Sequence, residues 1–349
     1  MSEIIGSPGI LKQVNTKLVL DALAANPRAT RVELASYVGL SQPTVNAIID
    51  SLLKRGVIEA LGYAASNGGR RAQTYQLNPN HSHVVILWVT ASDLNFCLIN
   101  TAGEVLKKGS STHADTAEVL PQVYSVIDQL FANDLNIKAI SMAVPGAVSL
   151  SGTVFAIPQL PEWEELPLQT LLQERYSVPA TIHNDMNVVA YGYYLQTLQE
   201  TRDDLAFIHI GKGIGAGIVV NGSIVKGFSS FAGEISYMYT GEVQNTSHGR
   251  GPFEIQYQNA DGLQEQAEVI GRMLVNIICT INPAVLAFGG SGISRELIAD
   301  IRRWCERCLP AFAVPNMQTV KDESVYYTAG LSKLAQSLFE NDVKLVMGS

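Results

Sequence analysis

The sequence predicts an α/β protein in two parts: a small, mainly helical head that ends in a β-ribbon, and a larger body in which one α/β unit occurs twice. Three observations predict it. Residues 1–80 read as helix, capped helix, glycine turn, capped helix, then two short strands. From residue 84 onward the order three strands, helix, strand appears twice. The charge divides at the same boundary: residues 1–80 carry eight Lys/Arg against five Asp/Glu, so the chain's formal net charge of −8 splits into +3 for the head and −11 for the rest. A chain of 349 residues exceeds one ordinary core, and 47% apolar residues suffice for more than one.

In the head, Asn15 to Ala25 has helical periodicity with Leu18, Val19, Ala22 and Leu23 on one face, and Asn26-Pro27 stops it. Thr30-Arg31-Val32-Glu33 is a capping box that opens a second helix carrying Val32, Leu34 and Ala35. Gly39 makes the turn. Ser41 caps a third helix to about Arg55, with Pro43 in its first turn and Val45, Ile48, Ile49, Leu52 and Leu53 directed inward. This is the helix-turn-helix order, in which the second helix of the motif enters the DNA major groove. Ser41, Gln42, Thr44 and Asn46 are its expected outward residues, of types that read base edges. Strands at Val57–Glu59 and Thr74–Leu77 flank Ser66-Asn67-Gly68-Gly69-Arg70-Arg71, a winged-helix tip in which Arg70 and Arg71 suit phosphate or the minor groove. The plainer alternative is a helical docking domain with a solvated basic loop. Asn78-Pro79-Asn80 reads as a linker, which sets the expected domains at 1–80 and 81–349.

The first unit of the body comprises strands at Val84–Val89, Leu94–Ile99 and Glu104–Lys108, a helix at Glu118–Phe131 and a strand at Ile137–Val144. The second comprises strands at Leu205–Ile210, Ala216–Val220 and Ser223–Lys226, a helix at Glu265–Ile281 and a strand at Val285–Phe288. A duplicated fold places a cleft between its halves, and a cleft takes ligands. Gly211, Gly213, Gly215 and Gly217 lie between two strands, where bare backbone N–H groups suit phosphate, although a tight hairpin explains them equally. Asn221-Gly222 is a two-residue hairpin turn. Asn184-Asp185-Met186-Asn187 follows an apolar stretch, as at the carboxyl end of a strand, and its acceptors and amides suit a polyol.

Ser141-Met142-Ala143-Val144-Pro145-Gly146, Leu160-Pro161-Glu162-Trp163, the Asn184 to Asn187 stretch, the Gly211 to Gly217 loop, Ala232-Gly233-Glu234, and Asn282-Pro283 leading to Gly289-Gly290 occur in an order that resembles the ROK family of sugar kinases and sugar-responsive repressors. With the winged helix in front, the chain resembles the NagC/XylR-type transcriptional regulators. The resemblance implies a two-lobed, duplicated actin-like ATPase body: lobe one at about 81–190 plus a C-terminal helix at about 328–345, and lobe two at about 191–327. It implies sugar contacts from Gly146, Asn184, Asp185, Glu234 and Glu254, with Asp185 at the kinases' general-base position. It also implies a double-stranded DNA operator, a sugar or sugar-phosphate effector, and a homodimer or homotetramer.

Three departures bear on activity. The family's kinases carry Asp-x-Gly-Gly-Thr on the first hairpin, where Trp88 to Asn95 reads WVTASDLN. Lys212 stands where the family commonly has Thr, so Gly211, Gly213, Gly215, Gly289 and Gly290 are expected to be degenerate phosphate loops. Phosphoryl transfer rests on positioning, so no kinase activity and no cofactor are expected; the alternative is an ATP-dependent hexose kinase with a DNA-binding head. Where the family has a zinc-binding His and cysteines, this chain has Tyr237 and Asn245 to Pro252, so no metal is expected and Tyr237 replaces the His as a sugar contact. A scaffold that has lost its ligand is the third reading.

Cys305-x-x-Cys308 shares a helix face with Leu297, Ile301 and Trp304, which predicts buried free thiols. His81 and His83 are expected at the surface. Trp163 either covers a sugar face or packs within its own loop. Four cysteines, no basic-then-apolar leader and no apolar run near ~18 residues predict a cytoplasmic protein with no membrane partner.

Overall fold

A computed structural model describes residues 8–63, 71–90, 92–113, 115–241 and 251–340. The head begins with α1 (Pro8–Ala25), then β1 (Ala29–Thr30), α2 (Arg31–Val38), α3 (Gln42–Lys54), β2 (Ile58–Tyr63) and β3 (Gln73–Leu77). Thr30 caps α2 with both arms of the capping box in place, and Gly39 closes the helix at φ 67°. Ser41 caps α3 by accepting from the Thr44 N–H. Val19, Leu23, Leu34, Val45, Ile49, Leu52 and Tyr75 form one buried core. α1 starts earlier than its periodicity suggests. Leu18 on α1 and Val32 on α2 are 42% and 58% exposed rather than buried; α1 turns Val19 and Leu23 to the core, and α2 turns Leu34 and Ala35. Two-residue β1 pairs with β3 to give a three-stranded sheet in the order β1-β3-β2, with a bulge in β2 between Ala60 and Gly62.

The body runs β4 (His83–Val89), β5 (Asp93–Asn100), β6 (Val105–Thr112), α4 (Val119–Asn133), β7 (Ile137–Val144), β8 (Ala147–Val148), β9 (Val154–Phe155), α5 (Leu168–Tyr176), β10 (Ala180–Asn184) and α6 (Asp185–Thr197). It continues with β11 (Leu205–Ile210), β12 (Ile214–Val220), β13 (Ser223–Ile224), α7 (Pro252–Asn259), α8 (Gly262–Ile281), β14 (Val285–Gly289), α9 (Arg295–Cys308), β15 (Asn316–Thr319) and α10 (Ser324–Glu340). The sheet orders β10-β7-β4-β5-β6 and β15-β14-β11-β12-β13 are the same order written from equivalent strands, so the duplication is complete. Each half has a fifth strand, parallel to the fourth. Asn221 and Gly222 both take positive φ, at 51° and 73°, in the turn between β12 and β13.

Each sheet buries an apolar face of its own, lobe one around Leu87, Ile127 and Val144 and lobe two around Ile208, Leu274 and Phe288. α6 leaves the sheet of lobe one and packs against β12 of lobe two. A Cβ on Gly217 would lie 2.2 Å from the Met186 carbonyl oxygen, so only glycine permits that approach. The expected lobe boundary near residue 190 therefore falls inside a helix that serves both lobes. α10 returns to lobe one, where Tyr327 stacks on Trp88 with ring centroids 5.4 Å apart.

Several expectations change. Trp163 is 2% exposed within the core of lobe one, so it packs and does not cover a ligand. Cys305 is buried but Cys308 is exposed, because the last turn of α9 has left the core. His83 is buried at the start of β4 rather than at the surface. Among the described residues no helix is long and apolar enough to cross a membrane.

Candidate functional site

On the head, α3 presents Ser41, Gln42 and Asn46 to solvent, with Thr44 half-buried. The Ser41 and Thr44 hydroxyls lie 2.8 Å apart and bond each other, so Gln42 and Asn46 have the freer side chains. Arg31 braces this helix: its guanidinium donates to Asp50 at 2.6 Å and to the Tyr75 hydroxyl at 2.9 Å. Arg71 is exposed at the start of the returning ribbon, while Arg70 and the Ser66 to Gly69 tip lie outside the described residues.

In the body, a cleft of about 1420 Å³ gathers residues from both lobes. Gly146, Asn184, Asp185, Glu234, Tyr237, Glu254, Gly211, Gly213, Gly215 and Gly290 all line it, although they come from widely separated stretches. Gly289 does not. Its missing side chain makes room for Glu323, whose carboxylate oxygen would lie 1.8 Å from a Cβ there.

The parallel pair β7/β10 ends at Val144 and Asn184, placing Gly146 and Asp185 side by side above the sheet. Asn184 donates from Nδ2 to the Gly146 carbonyl at 3.1 Å and accepts from the Asn187 N–H at 2.9 Å, which makes it the cap of α6. Its amide therefore fixes the floor. A Cβ on Gly146 would meet the Phe155 carbonyl and Ile157 at 2.9 Å, so packing already accounts for that glycine.

Asp185 opens α6 and accepts from the Met186 N–H at 2.7 Å. Burial pushes its carboxyl up to about 7; the His209 charge and the Met186 N–H pull the other way, while Glu234 and Glu323 push further up. Burial also raises Glu234. Tyr237 is 39% exposed, with its ring 5.3 Å from that of Phe231 at the rim. Glu254 stands in the first turn of α7 and accepts from Gln258 at 3.1 Å. Asp185, Glu234 and Glu254, all lining one cleft, supply acceptors of the kind a polyhydroxyl ligand needs.

Sequence reasoning missed His209 and Glu323. The imidazole Nδ1 lies 2.8 and 2.9 Å from the two Glu323 oxygens, between Asp185 and the glycine turn. Burial alone would lower the His209 pKa, but the Glu323 hydrogen bond and charge, with Asp185, outweigh it and raise it. A polar residue at an otherwise apolar position of β11 was the available signal for His209; Glu323 belongs to no motif.

The turn joining β4 to β5 is closed on itself. The Thr90 N–H donates to the Asp93 carbonyl at 2.8 Å. The Ser92 and Asp93 N–H groups reach Thr90 Oγ1 at 3.5 and 3.1 Å, and the Ser92 hydroxyl bonds the Asp93 carboxylate. His113 Nε2 lies 3.2 Å from the Thr90 carbonyl. Among the described residues of this turn, no N–H is left for a phosphate. Among the described residues no three His, Cys, Asp or Glu side chains are grouped to hold a metal; His248 lies outside them.

The comparisons agree with this architecture. The ROK family profile matches residues 89–254, and a profile described as winged helix-turn-helix DNA-binding matches 14–59. A xylose repressor of Caldicellulosiruptor bescii is 29% identical over 241 residues, covering 67% of this chain and 60% of that protein. The xylose repressor of Bacillus subtilis is 27% identical over 240 residues, covering 67% of this chain and 62% of that protein. The Escherichia coli dual regulator NagC is 25% identical over 241, covering 67% and 59%. The chain thus spans about three-fifths of the length of the curated relatives it matches. A solved ROK-family transcriptional regulator, a homologue of E. coli MLC, superposes with TM-score 0.70 and 18% identity over 94% of this chain and 97% of its own. A Streptomyces griseus ROK glucokinase bound to glucose and AMPPNP gives TM-score 0.54 and 17% identity over 73% and 99%. These likenesses establish the fold: a winged helix-turn-helix followed by an actin-like sugar-kinase body.

Proposed function

Since the chain carries a ROK-family domain behind a winged helix-turn-helix, we propose that it is a DNA-binding repressor of carbohydrate genes whose cleft senses a sugar or sugar phosphate. The observation that carries this reading is the pairing of polyol-suited acids lining the cleft, Asp185, Glu234 and Glu254, with a β4–β5 turn in which the N–H groups of Thr90, Ser92 and Asp93, its described residues, are already bonded. Such a cleft suits hydroxyls, and the bonded N–H groups of Thr90, Ser92 and Asp93 speak against a phosphate clamp at that turn. Gln42 and Asn46 read the operator, and Arg71 with Arg70 contacts its backbone. The protein acts as a homodimer or homotetramer in the cytoplasm, since helix-turn-helix proteins read paired half-sites. Ligand that binds one lobe arrangement more tightly shifts operator affinity by that difference.

The relatives' names make xylose and N-acetylglucosamine, with its phosphate, the first probes. A thermal-shift screen with and without Mg·ATP tests the reading. A sugar that raises the melting temperature without ATP, and loses its effect in Asp185→Asn, supports the sensor; no response to any sugar refutes it. The pKa of Asp185 near 7 favours a second reading, a kinase using that carboxylate as general base. ATP turnover with the responding sugar would establish that instead.

A further inference from the structure

Asn184 also borders a second pocket, of about 130 Å³. Its walls come from both lobes: Ser149, His183 and Asn187 from lobe one, and Lys226 and Ser230 from lobe two. Two wall residues carry buried polar atoms with no hydrogen-bond partner, His183 Nε2 and Asn187 Oδ1. These residues are only 9% and 6% exposed. A buried polar group left without a partner is destabilising, so two beside one cavity call for an occupant.

The other walls indicate its chemistry. Lys226 is exposed and stands at the mouth, and no Asp or Glu is among the described residues that line the pocket. Ser230 is buried and held at φ 60°, a left-handed conformation that a non-glycine residue adopts only when its surroundings impose it. In the Nε2–H tautomer His183 donates without carrying charge, and the Asn187 Oδ1, an acceptor, suits the P–OH of a protonated oxyanion such as hydrogen phosphate. Ser149 and Ser230 add hydroxyls. We propose that this pocket is an anion site, which takes a small inorganic oxyanion of phosphate size and thereby bridges the two lobes through His183 and Asn187 on one side and Lys226 on the other. Burial, then the Lys226 charge, holds the unoccupied His183 down to about 3, so the imidazole is neutral at physiological pH and the ammonium supplies the charge.

Inorganic phosphate titrated into the full chain is the test, with ionic strength held by sodium HEPES, whose anion is too large to enter. A saturating rise in melting temperature of about 2–4 °C is expected, and Lys226→Met, a change at an exposed side chain, removes it. No saturable rise, or one that Lys226→Met retains in full, overturns the site. A rise abolished by Lys212→Met and kept by Lys226→Met places phosphate at the glycine turn and also overturns it. Crystals grown in phosphate give an independent reading: density for a tetrahedral anion within hydrogen-bond distance of His183 Nε2 supports the site, and ordered water alone there refutes it.

Discussion

The β4–β5 turn of lobe one and the β11–β12 turn of lobe two occupy equivalent places in a repeated five-stranded topology, yet they spend their backbone groups differently. In lobe one the Thr90 hydroxyl accepts from the Ser92 and Asp93 N–H groups, the Asp93 carbonyl accepts from the Thr90 N–H, and the Ser92 hydroxyl bonds the Asp93 carboxylate. In lobe two, Gly211, Gly213 and Gly215 put no side chain between backbone and cleft, and the Gly211 N–H bonds across its own turn to the Gly213 carbonyl at 3.0 Å. One fold therefore presents a sealed wall opposite an open one. The difference teaches that a sheet position does not fix its chemistry; a threonine hydroxyl within reach of its own backbone takes up N–H groups that a glycine turn has no side chain to bond.

The largest test of this contrast acts where the lobes meet. Asp185→Asn is expected to weaken effector binding about 10–100-fold, the worth of a hydrogen bond to a charged group, and to leave operator affinity without effector intact. Calorimetry and operator gel shifts read the two quantities separately. A fully retained effector response would move the sensor out of the cleft.

Within the open wall itself, the glycines should separate into two kinds. Gly217→Ala drives a methyl into the Met186 carbonyl and should cost about 1–3 kcal/mol by denaturant unfolding. Gly213→Ala meets only the movable end of Gln159 at 3.0 Å and should stay within about 0.5 kcal/mol while hindering ligand. Equal costs would erase the distinction between packing and ligand-facing glycines.

The raised Asp185 pKa gives two opposite pH trends. Between the unfolded value, ~3.9, and about 7 the native state holds a proton that the unfolded state has lost, so this group's contribution to stability falls as pH rises across that window. Effector hydroxyls donate to the ionised form, so affinity should rise about tenfold from pH 6 to pH 8. Titration calorimetry across that range checks it, and Asp185→Asn should flatten both trends.

His209 shifts stability in the same direction, although through a favourable charged pair rather than a buried neutral acid. Its raised folded pKa adds stability below its unfolded pKa that is lost as pH rises through the folded one. Glu323→Gln should cost about 1.5–3 kcal/mol at pH 6 and less at pH 8. A pH-independent cost would show that the pair is not ionised. The smallest effect belongs to the head, outside the contrast of turns: Arg71→Ala should lower the slope of log affinity against log salt by about one, and an unchanged slope would remove Arg71 from the backbone contacts.

Much of this molecule was legible in the residues. Capping chemistry is local, so Thr30, Glu33, Gly39 and Ser41 marked the head's helices as found. Short, nearly continuous apolar runs gave Ile137–Val144 and Leu205–Ile210 to the residue. Edge strand β15 was not legible, because Asn316–Thr319 buries only Met317 and so carries no pattern. Nor were the buried Trp163 or the exposed Cys308, which depend on neighbours far along the chain.

By itself, then, the sequence determined what short-range physics encodes: helix starts and stops, strand periodicity, the duplicated order of elements, and the motifs that ROK proteins share. Only the tertiary structure decided which side chains face one another. It joined His209 to Glu323, 114 residues apart, closed the Thr90 turn on itself, spent the Asn184 amide on a cap, and left His183 and Asn187 facing a second pocket without partners. Those outcomes depend on burial and on distances across the fold, and neither is a property of any local stretch of chain.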